Sequence, residues 1–126
     1  MTPRQATASA AVLALVGASV LTGTAGAATT AECPIGAFCV WTNANFTGHR
    51  FVFRGDDPEW EDGLARNDSS WVNHADSKPG VADHVKVFDG ENRTGHVTIC
   101  LAPGQKVSTD KAANDRGRSH AFTKHC

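Results

Sequence analysis

Past residue 30 the chain has no second long apolar run and no stretch with the periodicity of an amphipathic helix. A membrane-spanning helix takes about 20 apolar residues, and that region offers none. Charge of one sign is not in excess either. Twelve Lys and Arg stand against thirteen Asp and Glu, a formal net charge of −1. That balance argues against nucleic acid or an acidic membrane surface as a partner. Two kinds of chemical signature are missing as well. There is no Gly-x-Ser-x-Gly elbow. None of the six histidines, His49, His74, His84, His96, His120 and His125, forms a His-x-x-x-His pair or a Cys/His metal motif. They read as scattered surface residues. No catalytic residue, cofactor or resident metal is expected, and the chain does not read as an enzyme.

The residues that do form an apolar run lie at the start. Residues 1–27 read as a secretory signal: Arg4 gives an early positive charge, Ala10 to Leu21 carries no charge, and Ala25-Gly26-Ala27 offers small residues for cleavage. Residues 28–126 are then expected to form a single domain, secreted, extracellular and monomeric.

All four cysteines fall in that domain: Cys33, Cys39, Cys100 and Cys126. An even count in a small exported domain argues for two disulfides. Three connectivities are possible. Cys33–Cys39 with Cys100–Cys126 is favoured, because Pro34 and Gly36 can turn the chain between the first two, and the second bridge would tie Cys126 back to a strand. Each bridge is worth roughly 2–4 kcal/mol in loop-entropy estimates.

Short apolar stretches separated by Gly, Asn, Asp and Pro predict an all-β sandwich or barrel. The candidate strands are Phe38–Trp41, Phe51–Phe53, Ser70–Val72, Val85–Phe88 and His96–Cys100, with Val107 and Ala121-Phe122 as weaker ones. Phe51 and Phe53 share one face; Val97 and Ile99 share another. Between the strands, five acids surround Trp60 in Asp56–Asp62. That segment reads as a solvated loop with Trp60 partly packed, or as a contact for a partner or a cation.

The domain also repeats itself. Trp41, Phe46 and Gly48 are framed as Trp-Thr-Asn-Ala-Asn-Phe-Thr-Gly. Phe88 and Gly95 recur as Phe-Asp-Gly-Glu-Asn-Arg-Thr-Gly, with Arg93 in place of the second aromatic. Ser70 follows the first unit and Ser119 the second at similar distances. A bent hairpin needs a residue at positive φ, which glycine adopts cheaply. A serine from a later strand can then hydrogen-bond the bend.

Two such units resemble the paired Greek keys of the βγ-crystallin fold. The opening Cys33-Pro34-Ile35-Gly36-Ala37-Phe38-Cys39-Val40-Trp41, the Asn45-Phe46-Thr47-Gly48 bend and the late Asn114-Asp115-Arg116 resemble one exported family, the Streptomyces-type metalloproteinase inhibitors. That resemblance implies a disulfide-stapled βγ-crystallin-like Greek-key sandwich of two related motifs. It also implies a secreted metalloprotease as partner, blocked by a rigid substrate-like loop. The family's reactive loop follows the strand after the second hairpin, which points to Cys100-Leu101. Leu101 is apolar, as thermolysin-like proteases favour after a scissile bond, and Ala102-Pro103-Gly104 turns the chain behind it. In the family a second cysteine closes a tight loop there; here none follows Cys100 until Cys126.

The alternative is a βγ-crystallin-like binding or structural module, for calcium or carbohydrate, with the acidic Trp60 loop as its contact. A toxin-like domain of the same fold is a further one. Calcium takes six to eight oxygen ligands. Asn114, Asp115 and Ser119 are the candidates in the second half, but Arg118 stands where the motif has a hydroxyl. In the first half Ser69-Ser70 fit, while Ala65 and Arg66 replace the other ligands. Both loops read as degenerate.

Overall fold

A computed structural model of the chain describes residues 32–126. The export segment assigned to residues 1–27, and the expected start of the domain at residues 28–31, lie outside the described residues. Among the described residues seven strands appear: β1 (Phe38–Asn43), β2 (Thr47–Phe53), β3 (Ser70–Asn73), β4 (His84–Phe88), β5 (Val97–Leu101), β6 (Lys106–Val107) and β7 (Ser119–Thr123). They pair antiparallel in two sheets, ordered β2-β1-β3-β6 and β5-β4-β7.

Side chains alternate across a strand, so period two decides what each sheet buries. In β1, Phe38 and Val40 belong to the main core, while Cys39 and Trp41 belong to a smaller cluster. Trp71 and Val72 divide the same way in β3. In the second sheet Val85, Val87 and Leu101 enter the main core, with Ile99 and Phe122 packed against it. The main core therefore lies between the sheets. The smaller cluster joins Trp41 and Val72 to Cys33, Ala37 and Phe46.

The two halves trade edges. β6 follows the second hairpin in sequence but pairs with β3 of the first sheet, Trp71 opposite Val107. In return Asp57, from the first half, bridges to His120 in β7.

A strand stands at each expected position, with shifted ends. β2 differs most. It begins at Thr47, well before Phe51, because Thr47–Arg50 form an exposed hairpin arm with no apolar face to reveal it. Two residues read as surface features are core. Trp60 is 2% exposed and stacks on Phe53. His120 is fully buried among Phe38, Phe53, Trp60 and Phe122, at ring separations from 4.5 to 6.1 Å. A neutral imidazole fits there because both nitrogens are partnered. The Trp60 indole N–H donates to Nδ1 at 2.8 Å, and Nε2 lies 2.8 Å from the Gly55 carbonyl. A carbonyl only accepts, so Nε2 carries the proton. Burial pushes the His120 pKa below its ordinary value.

Candidate functional site

The two hairpins are built by one device used twice. After β1 the chain passes Asn45 and Phe46, both at φ 60°; after β4 it passes Asn92 and Arg93, at φ 57° and 60°. Gly48 and Gly95 follow at φ 82° and 80°. Left-handed backbone at a bulky residue costs about 1–3 kcal/mol, so something must hold it. Ser70 accepts the Phe46 N–H at 3.0 Å and donates to the Asn43 carbonyl at 2.7 Å. Ser119 accepts the Arg93 N–H at 3.0 Å and donates to the Gly90 carbonyl at 2.6 Å. Trp41 meets Phe46 edge-on at 5.3 Å. In the second hairpin Arg93 sends its guanidinium toward Asp56 instead, at 3.7 Å.

The loops that precede the two serines face each other in a near-symmetric exchange. Arg66 N–H donates to the Gly117 carbonyl at 2.7 Å, and Asp115 N–H to the Asp68 carbonyl at 2.8 Å. Arg66 and Asp115 sit at φ 59° and 62°. The symmetry breaks at Asp68, a buried carboxyl group. It accepts the Trp71 indole N–H at 3.0 Å and the Gly117 N–H at 2.9 Å. Burial raises its pKa above the ordinary value, although these hydrogen bonds pull it down. A Cβ on Gly117 would stand 2.5 Å from the Trp60 ring and 2.6 Å from Asp68.

The calcium candidates are placed as follows. The Ser119 hydroxyl is engaged by the hairpin. Asn114 and Asp115 are exposed. Arg118 donates to Glu91 at 2.7 Å, placing a cation beside the loop. Among the described residues no group of three or more His, Cys, Asp or Glu side chains is placed to hold a metal ion. Two of the acids near Trp60 hold backbone: Asp57 accepts from Glu59 N–H at 3.0 Å, and Asp56 from Phe122 N–H at 2.8 Å.

Disulfides join Cys33 to Cys39 and Cys100 to Cys126. Cys100 lies opposite Lys86, next to Leu101, which pairs with Val85. The Leu101 side chain is 0% exposed in the main core, and its carbonyl accepts from the Asn73 carboxamide at 3.0 Å. In this fold, then, the side chain expected at a protease cleft points inward. The alternation that buries Ile99 carries on to Leu101 and turns it into the core.

The other disulfide closes a short loop that does present an apolar side chain. Ile35, at its tip, is 69% exposed. Ala37 N–H reaches back to the Pro34 carbonyl at 3.1 Å, with Gly36 at φ 87° inside the turn. His74 ties the loop down three times. Its N–H donates to the Ala37 carbonyl at 2.8 Å, its carbonyl accepts from Gly36 at 2.7 Å, and its Nδ1 lies 2.7 Å from the Cys33 carbonyl. Arg50 holds the Glu32 carbonyl at 2.8 Å, and Arg54 the Ile35 carbonyl at 3.4 Å. No single stretch of sequence signals this arrangement, because His74 is 41 residues from Cys33.

Solved structures similar to this one include βγ-crystallins. One, from work on the evolution of the eye lens βγ-crystallin domain fold, is 20% identical, with a TM-score of 0.61 over 72% of this chain and 89% of that one. A βγ-crystallin from an archaeon is 22% identical, with a TM-score of 0.55 over 71% of this chain and 99% of its own. One from Ciona intestinalis is 20% identical, with a TM-score of 0.54 over 69% of this chain and 99% of its own. At such identities the likeness is one of fold. Among curated proteins no sequence matches. The family model described as peptidase inhibitor family I36 matches residues 26–100, from before the Ile35 loop through the second hairpin to Cys100. With more than half of its length matched, the chain belongs to peptidase inhibitor family I36, the family of the Streptomyces-type metalloproteinase inhibitors.

Proposed function

We propose that this protein is a secreted inhibitor that blocks a metalloprotease by occupying its cleft and does no chemistry of its own. The family match over residues 26–100 carries the reading. Support comes also from a small scaffold stapled by two disulfides, one of them closing a surface loop. Preorganisation of that kind lowers the entropy lost on binding. The disulfides also fit an oxidising, extracellular compartment.

A calcium- or carbohydrate-binding module finds less support. Trp60 is buried and has no ring face to offer a sugar, and Arg118 stands at the second calcium loop. The Cys100-Leu101 bond could serve as bait only if β5 peeled away from β4 and Leu101 left the core.

Titration of the purified mature protein against a thermolysin-like protease tests the reading. The expected result is loss of peptidase activity that saturates near one inhibitor per enzyme. Full activity at large molar excess would remove the proposal.

A further inference from the structure

We infer that the Cys33–Cys39 loop is the inhibitory contact, and that Ile35 is the side chain it places in the protease's apolar substrate pocket. The inference rests on the inhibitor reading and names its site. Three features combine in this loop and nowhere else among the described residues. Its ends are joined by a disulfide between cysteines six residues apart. Its carbonyls at Cys33, Pro34, Ile35 and Ala37 accept hydrogen bonds, and Arg50 holds the Glu32 carbonyl just before it. Its tip carries a bulky aliphatic side chain, more exposed than any other large apolar group described. Val52, Val81 and Val97 are 38%, 46% and 45% exposed, and none stands inside so short a covalent loop.

An exposed β-branched residue on a rigid loop has little freedom left to lose on binding. Burying such a side chain in an apolar pocket is worth roughly tenfold to a hundredfold in affinity. A pocket that accepts an aliphatic side chain next to the scissile bond is what a thermolysin-like metalloprotease offers. The loop also has a reason to resist cutting. A substrate bound as extended chain lies along a cleft like an added strand. Pro34–Ala37 is instead a tight turn closed by its own hydrogen bond. Ile35 then acts as a plug, with no peptide bond broken.

The test uses the mature protein, a thermolysin-like protease, and substitutions at two exposed positions. Ile35→Asp is expected to weaken inhibition at least tenfold with an unchanged melting temperature. Val97→Asp, on β5, is expected to leave inhibition within about twofold of the wild type. Mass spectrometry after long incubation should show the loop uncut. If the wild type inhibits and Ile35→Asp inhibits equally well, the loop assignment is wrong while the inhibitor reading stands. A product hydrolysed within residues 33–39 would overturn the plug. If the wild type does not inhibit, both fall.

Discussion

In the first half a left-handed pair, Asn45 and Phe46, is packed against Trp41; in the second a nearly identical pair, Asn92 and Arg93, has a guanidinium where the first has a ring. The serine behind each pair makes the same two hydrogen bonds, at 3.0 and 2.7 Å in the first half and 3.0 and 2.6 Å in the second. The hairpins thus share their backbone device and differ in what shields it. The bend depends on the serine and the positive-φ residues, and the aromatic corner is replaceable. Where the halves meet, the difference becomes complementary. Asp68 and Gly117 hold corresponding places, two residues before Ser70 and Ser119. One brings a carboxyl group and the other no side chain, so each needs the other.

The sharpest way to break that complementarity is Gly117→Ala. The added carbon would meet both the Trp60 ring and Asp68, and would push away the N–H that satisfies the carboxyl oxygen. Overpacking and a disrupted buried hydrogen bond together should cost about 3 kcal/mol, read by urea denaturation.

The paired serines ask whether the device is equal in both halves. Ser70→Ala and Ser119→Ala should each destabilise by about 2 kcal/mol, and by similar amounts, since each removes two hydrogen bonds from strained backbone. A loss confined to one variant would show that the other hairpin is held by different means.

Acid separates the halves in another way. One residue beyond each serine stand Trp71 and His120, both buried, and only the second can titrate. His120 has a pKa below its ordinary value because burial disfavours the cation. The unfolded chain therefore takes up this proton as pH falls through about 6.5, while the folded chain does not. Stability should fall on acidification from that point, until the folded pKa is passed. For one proton the slope reaches at most about 1.4 kcal/mol per pH unit. Asp68, whose pKa is raised by burial, acts with the opposite sign: its contribution is present below the ordinary carboxylate pKa and is lost as pH rises through the folded one. Following the His120 ring protons by NMR distinguishes the two; titration at the ordinary histidine pKa would contradict the buried, neutral assignment.

The smallest effect should come from an ion pair of the second half. Arg118→Ala removes the contact with Glu91, which is partly solvent-exposed, and should cost less than about 1 kcal/mol, shrinking further in high salt.

Much of this was legible in the sequence. The strands announced themselves by alternation, and the hairpins by repetition, because both signals are local. Trp60 and His120 were not legible, since the contact between them spans 60 residues and the acids around Trp60 suggested water. Leu101 is a different case. The alternation from Ile99, carried one step further, turns Leu101 inward, although Val97 at the start of the strand is exposed; resemblance to the family pointed Leu101 outward. The local periodicity governs the packing. Ile35 gave only the signal of a turn; its exposure follows from how His74, Arg50 and Arg54 seat the loop.

The traded edges have a consequence for the order in which this protein can come into being. As the chain leaves the ribosome, β1 to β3 appear together, but β6, which flanks them, arrives only at Lys106–Val107. β4 waits about as long for β7, which completes the second sheet only at Ser119–Thr123. Such distant pairings fold slowly, because a long loop must close before any contact rewards it. The first sheet is whole only once Lys106–Val107 has emerged, and the second only once Ser119–Thr123 has.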